Sequence, residues 1–293
     1  MKTLKQNIIN LFGVQGAEWI INLPTLITAL TTHWGLSEVS AVSNMTFNYV
    51  AKAKLNTGEP VVLKISYESQ SIRKEQQALT NLGSRGVIKL IDYNRKYNAL
   101  LLQQALPGIR LSFLYPEQQD YVMDCYVDTL QRLHHKQARF KQSNYPQVAD
   151  WLKVFDSPAL QAIPNALLNK AVTLSNKLLT SSKPLIFLHG DLHHDNILKH
   201  GHEWLAIDPK GVIGEAEFEI AAFDFMYINE LAETPNVKNL FAARVELLAQ
   251  KSGLDAQRIR DWVFVRLMLM AVWFIEDRGD PRPALKLAEL IGE

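Results

Sequence analysis

The stretch Leu188-His189-Gly190-Asp191-Leu192-His193-His194-Asp195-Asn196-Ile197-Leu198 sets an Asp and an Asn five residues apart between apolar, strand-like ends. That spacing is the layout of a phosphoryl-transfer catalytic loop, in which an acid meets the acceptor hydroxyl and an amide oxygen meets a metal ion. Twelve residues beyond Asn196, the run Trp204-Leu205-Ala206-Ile207-Asp208-Pro209-Lys210-Gly211 places a second Asp at the end of another short apolar stretch. Asp191 is expected to take the hydroxyl proton. Asn196 and Asp208 are expected to hold Mg2+, a hard cation that prefers oxygen ligands.

Upstream, Val61-Val62-Leu63-Lys64-Ile65 alternates so that Val61, Leu63 and Ile65 share one face of a strand and Lys64 points to the other. On the helix expected next, Ile72, Glu75, Leu79 and Leu82 are spaced three, four and three apart, which puts the Glu75 carboxylate in the apolar seam. A charge buried in a seam needs a partner, and Lys64 is the candidate. Held in this way, Lys64 is expected to reach the phosphates of a nucleotide.

Around these residues the texture of the chain divides in two. Residues 17–34 read as a helical preface, with Pro24 at a first-turn position and Gly35 after the end. Strand-like runs at 47–51 and 61–65 flank the turn signal Asn56-Thr57-Gly58-Glu59-Pro60, which is a β-hairpin. Ser69 or Ser71 is expected to cap a helix that runs to Leu82 and stops at Gly83. Two further strands are expected at 87–93 and 99–104, with a change of texture at Pro107-Gly108. Residues 117–137, 145–181 and 217–290 then read mostly as helices. The expectation is an α+β chain of two lobes: residues 1–105 with a small antiparallel sheet and the nucleotide-binding side, and residues 106–293 mainly helical, carrying the catalytic loop and the acceptor site.

Composition narrows the function classes. Thirty-one Lys and Arg balance thirty Asp and Glu, so the chain has no overall field that would favour nucleic acid or an anionic membrane. The single Cys125 cannot pair within the chain and fits a reducing cytoplasm. The opening Met1-Lys2-Thr3-Leu4-Lys5 leads into no continuous apolar core or small-residue cleavage site, so no secretory signal is expected. The most apolar stretch, 262–275, is interrupted by Arg266 and falls short of the roughly 20 residues that span a bilayer, so it reads as a core helix. These patterns set no oligomeric state.

The set Lys64, Glu75, His189-Gly190-Asp191, Asn196 and Asp208 resembles the aminoglycoside phosphotransferase branch of the protein-kinase-like fold. More narrowly, Asn48-Tyr49-Val50-Ala51, Ala105-Leu106-Pro107-Gly108, the double His after Asp191 and Asp208-Pro209-Lys210-Gly211 resemble the streptomycin 6-kinase and hydroxyurea-resistance kinase group. The likeness covers nearly the whole chain. The bare His-Gly-Asp and Asn pattern is shared with choline, homoserine and fructosamine kinases, whereas the double His and the Asp-Pro-Lys-Gly run are specific to the group. The resemblance implies a bilobal protein-kinase-like fold and ATP as phosphate donor. It also implies adenine lying against the main chain of Gln103 and Ala105, His189 steadying the loop through backbone near Asp208, and His193 within reach of the γ-phosphate. Lys210 would touch phosphate or pair with Glu215 or Glu217. One departure stands out from many kinases: the segment Val42-Ser43-Asn44-Met45-Thr46-Phe47-Asn48 has no glycine, so the Ser43 and Thr46 hydroxyls are the expected hydrogen-bond donors to phosphate and Asn44 the residue for positive φ.

From Gly201 to Pro235 the acids are Glu203, Asp208, Glu215, Glu217, Glu219, Asp224, Glu230 and Glu233, and Lys210 is the only Lys or Arg. Eight less one leaves seven excess negative charges, which are expected to draw a cationic acceptor such as an aminoglycoside, with Glu276 and Asp277 adding to the field. Three readings follow. The leading one is an ATP-dependent O-phosphotransferase acting on a streptomycin-like molecule. The second keeps the chemistry and changes the acceptor to hydroxyurea or a metabolite alcohol. The third, a non-catalytic nucleotide-binding module of pseudokinase type, is disfavoured because Lys64, Asp191, Asn196 and Asp208 are all present.

Overall fold

The hairpin around Gly58 forms as expected. Strands β2 (Asn48–Lys54) and β3 (Pro60–Ser66) pair antiparallel with Val50 opposite Lys64, and Gly58 takes φ 84 in the turn. β1 (Ser37–Ala41), β4 (Leu90–Asn94) and β5 (Ala99–Gln103) complete an antiparallel sheet of order β1-β2-β3-β5-β4. The strand expected at 87–93 is shorter than its apolar run, because Val87 makes an isolated parallel bridge to Ala206 instead. The computed structural model describes residues 1–135, 145–156, 160, 163–181, 183–227, 230–231, 236–277 and 279–292. The last two residues of the helix expected at 117–137 lie outside that set, as does Glu233.

The helical preface is longer than its sequence pattern. α1 spans Lys2–Trp34 with Pro24 inside it, and Gly13, at φ 57 and ψ −132, breaks it into two parts. At that break the parts approach closely: a Cβ on Gly16 would lie 2.5 Å from the Ile8 carbonyl oxygen. Both parts are held by tertiary burial. Leu4, Ile8, Leu23 and Leu30 join Val61, Leu63 and Ile65 in one core against the sheet, at roughly 1.5–3 kcal/mol per buried side chain. Since neighbours in a strand face opposite ways, Lys64 is left to the other face, where α2 (Ser69–Leu82) packs. α2 ends at Gly83 in the left-handed region, as expected; its N-cap is Glu68 with no side-chain hydrogen bond, so neither Ser69 nor Ser71 caps it.

These elements belong to a compact unit made of Met1–Ile109 and Lys199–Ile207. β6 (Pro107–Arg110), β8 (Ile197–His200) and β9 (Glu203–Ala206) form a short sheet of order β6-β8-β9. The other unit is Arg110–Leu198 with Asp208–Glu293. Among its described residues it has the helices α3 (Gln119–His134), α4 (Val148–Leu152), α5 (Asn165–Thr180), α6 (Ala216–Ile220), α7 (Val237–Ser252), α8 (Ala256–Glu276) and α9 (Arg282–Gly292). α8 is the central one, packing on α5, α6, α7 and α9, and its apolar run is buried as expected through Trp262, Val265, Met268, Leu269 and Val272. No helix among the described residues is long and apolar enough to cross a membrane. Within this unit β7 (Ile186–Leu188) pairs antiparallel with β10 (Val212–Gly214), and the short ladder carries the opening motif.

Candidate active site

On the first unit, Lys64 Nζ lies 2.7 Å from Glu75 Oε2 and donates to Oε1 at 2.9 Å, with side chains 5% and 9% exposed. The pairing inferred from the seam is present. The glycine-free segment is held by other means. Met45 is buried and its Sδ accepts from the Val50 N–H at 3.2 Å, the Val42 N–H donates to the Val50 carbonyl at 3.0 Å, and Asn7 Nδ2 donates to the Thr46 carbonyl at 3.2 Å. Ser43 and Thr46 are exposed, and Asn44 is absent from the positive-φ residues, so the turn is made without left-handed backbone there. Gln103 uses its N–H on the Lys89 carbonyl at 2.9 Å, and its side-chain nitrogen lies 3.3 Å from His200 Nε2; Ala105 is buried close by in the chain.

On the second unit, the loop leaves β7 at His189 and turns on Gly190, φ 84, where a Cβ would sit 2.9 Å from Val212 Cγ1. Only glycine fits that conformation and that space. The turn is clamped by Glu219, fully buried, whose Oε2 and Oε1 accept from the His189 and Gly190 N–H groups at 2.6 and 2.8 Å. Burial pushes the Glu219 carboxyl up, but a hydrogen bond and charge from His134, with the loop N–H groups, bring it below the ordinary range. The His189 carbonyl accepts from Lys210 and Gly211 N–H at 2.8 and 3.1 Å, and its Nδ1 accepts from the Asp191 N–H at 3.2 Å, which leaves the ring proton on Nε2.

Asp191 is 28% exposed, so its carboxylate can be reached. Burial pushes the group up, yet the Arg266 guanidinium and Lys210 outweigh that and hold it below the usual carboxylate range, ready to accept a hydrogen bond. Arg266 Nη2 donates to Asp191 Oδ1 at 2.9 Å, and Lys210 Nζ lies 4.0 Å from Oδ2. Asn196 Nδ2 donates to the Asp191 carbonyl at 3.0 Å, which fixes the amide. Asp208 is half-buried at φ 59, a left-handed conformation that costs a non-glycine residue roughly 1–2 kcal/mol. One carboxylate and one oriented amide oxygen are a donor set that fits Mg2+.

The two histidines part company. His194 is fully buried, stacked on Phe223 at 4.4 Å with Tyr115 edge-on at 4.8 Å, and burial holds it down at about 3, hence neutral. His193 is partly exposed with Nδ1 3.7 Å from Asp224 Oδ2. Burial lifts the Asp224 carboxyl to about 6.

The expected excess of negative charge shrinks once long-range partners are counted. Glu215 pairs with Arg258, Glu217 with Lys183 and Glu230 with Arg244, all three acids being buried or nearly so, and Glu219 is spent on the loop. Neither Glu215 nor Glu217 takes Lys210. Asp224 is 39% exposed, with Oδ2 3.7 Å from His193 Nδ1 and 3.5 Å from His194 Nδ1, while Glu203, Glu276 and Asp277 are exposed. Sequence reasoning counted Glu219 only as a charge and Arg266 only as an interruption. Each is an ionised residue inside an apolar run, the same signal that identified Glu75.

A family model described as aminoglycoside/hydroxyurea antibiotic resistance kinase matches residues 33–278. The chain is 27% identical over 278 residues to the streptomycin 6-kinase of Streptomyces glaucescens, with 91% of this chain and 87% of that one covered. It is 26% identical over 292 residues to the hydroxyurea phosphotransferase of Kitasatospora aureofaciens, with 94% and 80% covered. Among solved structures, a thermostable mutant of the aminoglycoside phosphotransferase APH(4)-Ia in a ternary complex with ADP and hygromycin B gives a TM-score of 0.68 at 13% identity, over 90% of this chain and 96% of that one. At that identity the likeness speaks for the fold, which is the α+β, protein-kinase-like one expected.

Proposed function

The chain belongs to the aminoglycoside/hydroxyurea antibiotic resistance kinase family, and on that premise we propose that it moves the γ-phosphate of ATP to a hydroxyl of a small molecule, with a streptomycin-type aminoglycoside as the leading acceptor. The observation that carries the proposal is the reachable, ionised Asp191 carboxylate on a loop clamped through Gly190. Asp191 accepts the hydroxyl hydrogen bond and takes the proton as the new oxygen–phosphorus bond forms and the bond to the leaving ADP oxygen breaks. Lys64, kept in place by Glu75, meets the donor phosphates. Ser43 and Thr46 offer hydroxyl donors to them, and the main chain around Gln103 and Ala105 takes the adenine edge. His193, with Nδ1 turned to Asp224, has Nε2 left for a γ-phosphate oxygen. Asn196 Oδ1 and the Asp208 carboxylate are the oxygens that would hold Mg2+, which supplies charge neutralisation at the phosphates.

A second acceptor reading, hydroxyurea or a neutral metabolite alcohol, is favoured by a specific observation: four of the eight acids of the 201–235 segment are taken up by Arg258, Lys183, Arg244 and the loop, so the pull on a polycation is weaker than the sequence count. A mass-spectrometric phosphorylation screen with ATP against streptomycin, other aminoglycosides, hydroxyurea and amino alcohols separates the two. Asp191→Asn serves as the blank and is expected to lose about a thousandfold in rate while still binding ATP. Turnover retained in that variant would remove Asp191 from the base role.

A further inference from the structure

α8 is apolar along its buried side except at Arg266, whose side chain is 3% exposed. A guanidinium presents its N–H donors in a rigid fork, and a buried one settles where several of them are used. Here the two terminal nitrogens converge on consecutive residues of the catalytic loop: Nη2 on Asp191 Oδ1 at 2.9 Å and Nη1 on the Gly190 carbonyl at 3.2 Å. The plane is set by the Phe218 ring, 5.5 Å from Cζ, one residue before the Glu219 that takes the His189 and Gly190 N–H groups. The peptide around Gly190 is thus gripped on its N–H side by a carboxylate and on its carbonyl side by a guanidinium. Nε of Arg266 is buried with no hydrogen-bond partner among the described residues, so the fork is aimed at the loop at the expense of its own third nitrogen.

A carboxylate base has two equivalent oxygens and a freely turning end, and transfer needs one of them at one angle. Arg266 removes the choice. We propose that Arg266 is a positioning residue that holds Asp191 Oδ1 and the Gly190 carbonyl, so that Oδ2 alone is presented to the acceptor hydroxyl. The inference rests on the reading of Asp191 as the base. Nothing in the opening motif carries this function; it is supplied from a helix 75 residues further along the chain.

The test compares Arg266→Met and Arg266→Lys, each alone and with Asp191→Asn, in streptomycin phosphorylation by ATP, with KM for ATP and Tm recorded. Arg266→Met is expected to lower kcat about 100-fold at unchanged KM for ATP, and to cost nothing further when Asp191→Asn is already present. Wild-type kcat in the Met variant, or losses that multiply with Asp191→Asn, would overturn the proposal. Should the Met variant fail to fold, the Lys variant decides, because one ammonium cannot bridge Asp191 and Gly190 as the fork does. Wild-type kcat there overturns the proposal, and a reduced kcat at unchanged KM and Tm supports it. If the parent protein phosphorylates no acceptor, the functional reading is what fails. A crystal structure of the Arg266 variant then tests the inference alone: an Asp191 carboxylate still in place refutes it, and a displaced one supports it.

Discussion

At the scale of single residues, buried ions behave as paired objects. Lys64 and Glu75 are each under a tenth exposed and 2.7 Å apart, so removing one charge takes from the other a close buried counter-charge. Lys64→Met or Glu75→Gln alone is expected to cost about 3 kcal/mol of stability, and the double substitution well under twice that, because the second change removes a charge that has already lost this partner. Urea unfolding of the three variants gives the cycle; strictly additive losses would show that the pair does not act as a unit. This pair was legible in the sequence because its members lie eleven positions apart and the helical seam pointed at the partner. Arg266 broke the same rule just as openly, but its partner is 75 residues away on a loop, and periodicity carries no information about which distant loop a helix meets. Asp191 and Asn196 needed no such distant information to be grouped, because they meet locally: the Asn196 side chain folds back on the Asp191 carbonyl five residues earlier.

At the scale of elements, the hairpin and α2 could be read because each is stopped by a residue with a backbone reason, Gly58 and Gly83 in the left-handed region. α1 was only half legible. Its first part is separated by the break at Gly13 and owes its stability to the sheet face it covers, so a window on the chain finds the 17–34 pattern and misses the rest. A comparable long-range knot lies at the start of α6. Glu215 accepts from Arg258 Nε at 2.5 Å, from Trp262 Nε1 at 3.2 Å and from the Lys183 N–H at 3.2 Å, while Arg258 Nη2 reaches the Leu178 carbonyl at 2.8 Å, so this carboxylate ties α8 to the end of α5. Burial pushes the Glu215 carboxyl up, but the hydrogen bonds and charge of Arg258 prevail and hold it below its ordinary 4.5. The unfolded chain therefore takes up this proton first as pH falls, and the contribution is complete well above pH 4.5 and drains below it. Glu215→Gln is expected to destabilise by about 3 kcal/mol at neutral pH, with the gap to the parent narrowing as the pH falls below 4.5. A gap that stays constant with pH in denaturant titrations would mean that the charge of Glu215 is not what ties the helices.

At the scale of the whole molecule, a near-zero net charge offers no overall field for nucleic acid, but the local surplus of acids overstated the field because their cations come from α7, from α8 and from Lys183. Linear charge counts fail where acids are buried, and there the partner is usually remote in sequence. The donor side makes a prediction for the intact chain. A ligand that binds only the folded state stabilises it by about 2.7 kcal/mol at a hundredfold excess over Kd, which for a chain of this size is a rise in Tm of about 5 °C. Millimolar ATP with Mg2+ is expected to give that rise, and chelation by EDTA at constant ATP to remove most of it, since Asn196 and Asp208 offer oxygen donors to a metal and little to bare phosphate. Asp191→Asn should keep the shift, because that side chain serves the acceptor, whereas Lys64→Met should lose much of it. An EDTA-resistant shift would detach Asn196 and Asp208 from Mg2+, and no shift at all would remove ATP as the donor.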